Sequence, residues 1–449
     1  MEKTRDHFSS QLGVFLTVVG AAVGLGNFWR FPYMVGMHGG AAYIIMYLLF
    51  AMVLCMPIMF SEFVLGRRSQ RNVFGTFKVL APGTGWWGIG ILSVAVSLCI
   101  LFFYCVVGGW TIEYAYQSIR GFSSDVQVLE NNFSTFVASP VRPIVCHLLF
   151  LGMSAVIVVG GIKKGIEKSC KILMPLLLLM VILLAIRALF LPGSMEGVIF
   201  LFKPDFSKIT AETVLAALGQ TFFSLSLGMG VMITYASYTK RETNIVKMSA
   251  NTCLSAVAFS VLAGLAVMPA VFAFGISPTE GSGLAFITLP RIFAQLPFGS
   301  ALAFIFFIGL LVAAVTSAIS SIEVVAAYFT EELKWSRRTS IVIVFIVVAI
   351  FGSLSALSMG VLKDVTLFGK GFFDLFDYLA SNIMLPIGGL LVVIFTGWVI
   401  KKAVVKEELS SGGRYRVPFF GAIMFIVKFV APVAISLIFL SSLGLIKLF

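Results

Sequence analysis

Two stretches hold residues able to bind something polar, and both lie inside apolar segments. The first, Gly20 to Pro32 (GAAVGLGNFWRFP), carries Gly20, Gly24 and Gly26 within seven residues, followed by Asn27 and Arg30. Each glycine costs a helix interior roughly 1 kcal/mol relative to alanine, and asparagine and arginine at membrane depth cost more. That combination predicts a broken helix whose freed carbonyls and amides turn toward a polar guest. Such backbone is tolerated at membrane depth only where it is buried in protein or lines a cavity. The second stretch, Gly219 to Gly230 (GQTFFSLSLGMG), repeats the anomaly with Gln220, Ser224, Ser226, Gly228 and Gly230. Close packing of small residues would account for either stretch alone. The two together, with Asn27 and Gln220 added, point to a binding site between paired breaks. A third element is Ala313, Thr316 and Ser317, spaced so that one carbonyl and two hydroxyls share a helix face. Oxygen donors of this kind suit a hard cation such as Na⁺, although hydroxyls on a membrane helix commonly bond back to the preceding turn.

The elements that must position these groups are membrane helices. Hydrophobic residues make up 59% of the 449-residue chain and charged residues 12%. Apolar runs long enough to cross a bilayer recur throughout. Eleven spans are expected, at about 11–35, 40–66, 87–118, 141–160, 170–191, 212–238, 246–275, 299–330, 339–361, 374–401 and 417–447. The net charge of +12 sits in short loops, which argues against a nucleic-acid partner and for the lipid bilayer. Arg67, Arg68, Lys163, Lys164, Lys240, Arg241, Arg337, Arg338, Lys401 and Lys402 all fall in loops that follow even-numbered spans. Basic loops stay on the cytoplasmic side, so the N-terminus is expected inside and Phe449 outside, with no cleavable leader. The six cysteines mostly lie in apolar segments without metal or disulfide spacing and read as small buried hydrophobes. His7, His38 and His147 are scattered, with no carboxylate at catalytic spacing, so an enzyme is not expected. The loop 275–298 alternates turn signals with apolar residues and is expected to fold back over the outer vestibule.

The stretches GAAVGLGNFWRFPY, GQTFFSLSLGMGVMITYASY and AAVTSAISSIE resemble the signature segments of the neurotransmitter:sodium symporter family, in its bacterial amino-acid branch. The similarity runs in order through essentially the whole chain, which looks like an eleven-span member lacking the twelfth helix of many relatives. The resemblance implies an all-α polytopic membrane protein, a single domain over 1–449 with a five-plus-five inverted-repeat fold and discontinuous helices one and six. Residues 11–191 would form the first repeat, 212–401 the second, and 417–447 an additional helix. It implies one sodium site at the backbone oxygens of Gly20, Val23 and Ala313 with the hydroxyls of Thr316 and Ser317. A second would use Ala22, Asn27, Ser224 and the substrate carboxylate. The amides of Leu25 and Gly26, as at a helix N-terminus, and the Tyr104 hydroxyl would hold that carboxylate. Ile100, Phe223, Ser226, Met229, Ser317 and Ser321 would meet the substrate side chain.

The gates can be argued from placement. Arg30 lies just outward of the first break and Asp377 starts span ten from the outer side, so the two would close the outer path. Arg5 and Glu331, with Tyr238 nearby, would close the inner path, unless they are an ordinary surface pair worth under about 1 kcal/mol. Glu62 in span two would accept hydrogen bonds from unwound backbone. Gly24 stands where monoamine transporters of the family carry an aspartate, which favours an amino acid that brings its own carboxylate. Met229, flanked by Gly228 and Gly230, replaces a phenylalanine of leucine-type members; its adaptable side chain favours large hydrophobic or aromatic amino acids. Between Thr243 and Thr279 there is no acidic residue. The positions aligned with the family's asparagine or aspartate are Ser255 or Ala256, with Ser260 one turn on and Asn251 fitting only after a register shift. Tyr47, Gln220, Ser224, Ser255 and Ser260 are therefore candidates for chloride. The expected activity is alternating-access import of amino acids coupled to one or two Na⁺, with chloride as a candidate co-ion, in a bacterial inner membrane. A monomer would suffice, with an oligomer left open. The alternatives are an amino-acid sensor or binding subunit of the same build, or a channel.

Overall fold

The computed structural model describes residues 6–279 and 284–445. Its regular elements there are helices, with no strand among the described residues. Among the described residues nine helices are long and apolar enough to cross a membrane, and a tenth span is the pair Gln11–Ala22 and Gly26–Met37, bent by 54°. Span six is absent from that count because it is cut in two, Ala211–Ser224 and Val231–Ala236. The eleven expected segments are therefore all present, with spans one and six the divided ones.

Local chemistry explains both cuts. Span one starts with Ser10 capping the Gly13 amide and runs cleanly to Ala22. Val23 then turns extended, and a wide π-helical turn, Gly26–Arg30, restarts the helix before Pro32. Span six ends at Ser224, Ser226 takes a left-handed φ of +53°, and Gly228 and Gly230 follow at +81° and +78°. A Cβ on Gly228 would lie 2.7 Å from the Leu385 carbonyl oxygen, so span ten packs directly on the turn.

The long helices Gly88–Arg120 and Gly299–Glu332, spans three and eight, form the best-buried pair and cross beside the breaks. The loop after span seven does fold back. Phe286 is 2% exposed, and its ring packs against Trp29, Trp110, Tyr114, Phe133 and Phe307 at centroid distances of 5.1–6.1 Å. Aromatic contacts at these separations are worth about 0.5–1.5 kcal/mol each beyond area, so the plug is pinned to spans one, three and eight.

Candidate functional site

The two breaks face each other and are stitched by side chains reaching for freed backbone. Gln220 Nε2 donates to the Gly26 carbonyl at 2.7 Å and to Ser224 Oγ at 3.0 Å. Ser226 Oγ donates to the Ala21 carbonyl at 2.8 Å, which ties its left-handed turn to span one. From outside the pair, Ser97 Oγ donates to the Met229 carbonyl at 3.0 Å. Glu62 Oε1 accepts from the Gly228 amide at 2.7 Å, as its place in span two suggested, while its second oxygen is buried without a partner. Buried backbone must find partners, and here distant side chains supply them.

Between the breaks lies a narrow chamber of about 40 Å³ open to the centre of a water molecule. Gly24, Leu25 and Gly26 line one side, and Phe223, Ser224, Ser226 and Met229 the other. Ile100, Tyr104, Ser317 and Ser321 complete it from spans three and eight, joined by Ala21, Asn27 and Val231. Ala22 is fully buried but does not line this chamber; its neighbour Ala21 does. The Leu25 amide donates to Tyr104 Oη at 3.4 Å. A Cβ on Gly24 would lie 2.4 Å from Ser317 Oγ and 3.1 Å from Tyr104 Oη, so no side chain fits there without displacing them.

Spans one and eight also meet at Gly20. A Cβ on Gly20 would meet Thr316 Cβ at 3.4 Å, which puts span one against the hydroxyl pair of span eight. Thr316 Oγ1 donates to the Val312 and Ala313 carbonyls at 3.2 and 3.0 Å, the back-bonding pattern, and keeps its oxygen lone pairs. Val23 and Ala313 are fully buried. Among the described residues no group of three or more His, Cys, Asp or Glu could hold a metal. The groups gathered here carry hydroxyl, amide and carbonyl oxygens, the donor type that a hard cation takes.

The span-seven register resolves the ambiguity left by the sequence. Asn27 Nδ2 donates to Ser260 Oγ at 2.9 Å and to the Ala256 carbonyl at 3.5 Å, while Asn27 Oδ1 accepts from the Gly24 amide at 3.3 Å. The Tyr47 and Ser260 hydroxyls are 3.3 Å apart. Ser255 is only partly buried and makes no hydrogen bond to this cluster, and Asn251 is exposed. Ala256 therefore occupies the position facing Asn27, and no span-seven amide or carboxylate is available there. Tyr47, Gln220, Ser224 and Ser260 gather around this point, with Gln220 Oε1 buried and unpartnered.

Outward of Phe223 the space widens to about 180 Å³, lined by Trp29, Arg30, Phe103, Phe373 and Asp377. Arg30 and Asp377 share this cavity without pairing. The Arg30 guanidinium lies 5.4 Å from the Phe223 ring centroid, and Asp377 Oδ1 accepts from Ser381 at 2.8 Å. The cavity separates the two expected gate residues. Inward, Arg5 lies outside the described residues, and Glu331 accepts from the Asn72 amide at 2.9 Å. Tyr238 Oη donates to Glu323 Oε1 at 2.8 Å. Glu323 is fully buried, pairs with Arg337 at 2.5 Å, and Arg337 Nε reaches the Val158 carbonyl at 2.9 Å. This tie between spans four, six, eight and nine escaped the sequence reading. Its signal was an acidic residue deep inside the apolar span eight, where an unpaired charge is costly.

Comparison with known proteins agrees with this geometry. The model of the sodium:neurotransmitter symporter family matches residues 5–136 and 122–448. An uncharacterized sodium-dependent transporter of Haemophilus influenzae is 40% identical over 98% of this chain and 99% of its own length. Another from Bacillus subtilis, YhdH, is 38% identical over 99% of each protein. The bovine sodium-dependent dopamine transporter is 28% identical, over 88% of this chain and 63% of its own. Among solved structures, MhsT in complex with L-phenylalanine superposes with a TM-score of 0.89 at 40% identity, covering 98% of this chain and 100% of that one. With paired helix breaks around an oxygen-lined chamber and likeness along nearly its full length, this chain belongs to the sodium:neurotransmitter symporter family of sodium-dependent membrane transporters.

Proposed function

We propose that the chain is a symporter that uses Na⁺ to import amino acids, favouring large hydrophobic or aromatic ones, by alternating access. The observation that carries this reading is the approach of Gly24 to Ser317 and Tyr104, which leaves no room for a side-chain carboxylate. A substrate must then bring its own carboxylate to the Leu25 and Gly26 amides, Tyr104 and a bound Na⁺. An unbranched, flexible Met229 at the chamber wall supports a bulky side chain, and MhsT, 40% identical, is described bound to L-phenylalanine.

Gly20, Val23, Ala313, Thr316 and Ser317 would hold one Na⁺, and Ala22, Asn27, Ser224 and the substrate carboxylate the other. Na⁺ enters from outside and stabilises the outward-open arrangement; the amino acid completes the site, and Phe223 with Tyr104 closes over it. Spans one and six then move against spans three, four, eight and nine, which requires the Tyr238–Glu323 tie to break. Only differential affinity for the two states drives the change. One Na⁺ crossing a potential of about 100 mV gains about 2.3 kcal/mol, enough for a roughly fiftyfold solute gradient. The basic loops lie in the cytoplasm of a bacterium in this reading, and Tyr47, Gln220, Ser224 and Ser260 are the chloride candidates.

The test is uptake of an amino-acid panel into proteoliposomes with Na⁺ and Cl⁻ varied separately. Saturable, Na⁺-dependent accumulation with counterflow supports the reading. Binding without accumulation would indicate a sensor, and non-saturating flux a channel; either result overturns it.

A further inference from the structure

We propose that the corner between spans ten and eleven on the basic side of the membrane is a binding site for an anionic phospholipid, with Lys428 as its phosphate ligand. Span eleven is the least covered of the measured spans. Only 22% of its apolar window is buried inside the protein, against 39–78% for the others. Yet it carries a lysine about 12 Å, eight residues, into the helix that begins at Phe420.

That lysine is positioned rather than loose. A Cβ on Gly397 would lie 3.1 Å from Lys428 Cγ and 3.3 Å from its Cα, so the glycine admits the backbone of span eleven and the stem of the lysine. The two helices meet through facing π-helical turns, Phe395–Val399 and Ile426–Val430. Trp398 Nε1 donates to the Lys428 carbonyl at 3.2 Å, and the Lys428 ammonium sits 5.3 Å from the Trp398 ring centroid. Among the described residues no carboxylate pairs with Lys428, nor with Lys401 or Lys402 nearby. Lys402 Nζ lies 5.8 Å from the ring of Phe420, so the loop lysine and span eleven share this corner.

A cation at this depth demands an anion or a route to water. The surface around it is shaped for lipid. Trp398, Phe425 and Phe429 are 58%, 59% and 49% exposed and form one row, with centroids 5.5 Å apart at each step. Acyl chains can lie along that row while a phosphate meets Lys428 and the loop lysines above it. Basic pockets between membrane helices on the cytoplasmic side take anionic headgroups in this way. A zwitterionic lipid would bring its own cation into the same corner.

The purified full-length protein is exchanged into nanodiscs of phosphatidylcholine, or of phosphatidylcholine with one-third phosphatidylglycerol, and retained lipid is counted by native mass spectrometry after detergent extraction. The wild type is expected to keep phosphatidylglycerol selectively. Lys428→Met should lose about fivefold in occupancy, the equivalent of about 1 kcal/mol for one lysine at an anionic surface. Lys428→Arg should retain the lipid, and Lys78→Met, elsewhere on the basic side, should match the wild type. Should Lys428→Met not be recovered folded, Trp398→Leu removes the indole beneath the ammonium and must lower occupancy instead. Equal retention in wild type and variant, displacement of the lipid by inorganic phosphate, or a doubled mass that persists without lipid would each overturn the proposal. The readout involves no transport, so it stands or falls separately from the symporter reading.

Discussion

Adding one methyl group at Gly24 probes the chamber most directly. A Cβ there would lie 2.4 Å from Ser317 Oγ, 3.3 Å from Ser317 Cβ and 3.1 Å from Tyr104 Oη. The hydroxyl can swing away, but the Ser317 Cβ and the Tyr104 phenol belong to well-packed helices and yield less. Overpacking of this kind costs about 1–3 kcal/mol, so Gly24→Ala should weaken amino-acid affinity by about 5- to 150-fold. Ser317→Ala removes the nearest atom. It also removes a proposed sodium ligand, so taken alone it should weaken binding as well. The informative quantity is the double-mutant cycle, measured by equilibrium binding of a labelled aromatic amino acid at saturating Na⁺. If the contact is real, Gly24→Ala/Ser317→Ala binds better than the sum of the single losses predicts, by about 1–2 kcal/mol within the usual range for touching residues. Additive losses, or a Gly24→Ala protein that binds as the wild type does, would refute the idea that Gly24 excludes a side chain by contact with Ser317.

Three further changes bear on the same site, and a fourth on the end of span one. Thr316→Val keeps the shape and deletes one oxygen, so the half-saturating Na⁺ concentration for uptake should rise about tenfold, the scale of a hydrogen bond to a charged group, with little change in melting temperature. Tyr104→Phe deletes the hydroxyl at the Leu25 amide and should cost about 2- to 10-fold in substrate affinity; unchanged affinity would remove Tyr104 from the carboxylate site. Replacing chloride by gluconate should lower uptake if Tyr47, Gln220, Ser224 and Ser260 hold the anion, and Ser260→Ala should then lose most of the chloride response. At the outer end of span one, burial pushes the His38 imidazole below its usual range, against an opposing pull from Glu212, while its ring stacks on Tyr43 at 5.6 Å. The unfolded chain takes up that proton near pH 6.5 and the folded one does so later. The wild type should therefore lose stability as pH falls below about 6.5, and His38→Phe, which keeps the stack, should flatten that part of the melting curve.

The two breaks were legible because their causes are local. Three glycines in seven residues before Asn27, and Gly228 and Gly230 around Met229, weaken a membrane helix locally, and Asn27 and Gln220 add polar groups that an intact helix would leave costly. The partners of the freed backbone were partly legible. Glu62 stood out as a carboxylate in span two, whereas nothing in the chain order says that Ser226 reaches Ala21 or that Ser97 reaches Met229. Those contacts depend on how far each helix turns before it meets another. Span seven shows the same limit, because one residue of register is about 100° around a helix and decides between Ser255 and Ala256. The Tyr238–Glu323–Arg337 tie was missed for a related reason. Glu323 lies about two turns before Glu331 on span eight, and only the packed geometry brings it to the Tyr238 hydroxyl and to Arg337. Arg30 and Asp377 illustrate the opposite case. Both line the cavity beyond Phe223, but whether they touch is set by packing, and here Arg30 rests on Phe223.

The stitching of span one to span six has a consequence for mutational scanning. In the proposed site much of what would grip the guest is main chain: the amides of Leu25 and Gly26 and the carbonyls of Gly20, Val23 and Ala313. Replacing the buried side chains of Leu25 or Val23 leaves those atoms in place and costs packing instead, so a survey of ordinary variants would report on the core rather than on these groups. Ester linkages built in at single peptide bonds, which strip one N–H or weaken one carbonyl while sparing the side chain, are the perturbation to which this protein should be most sensitive.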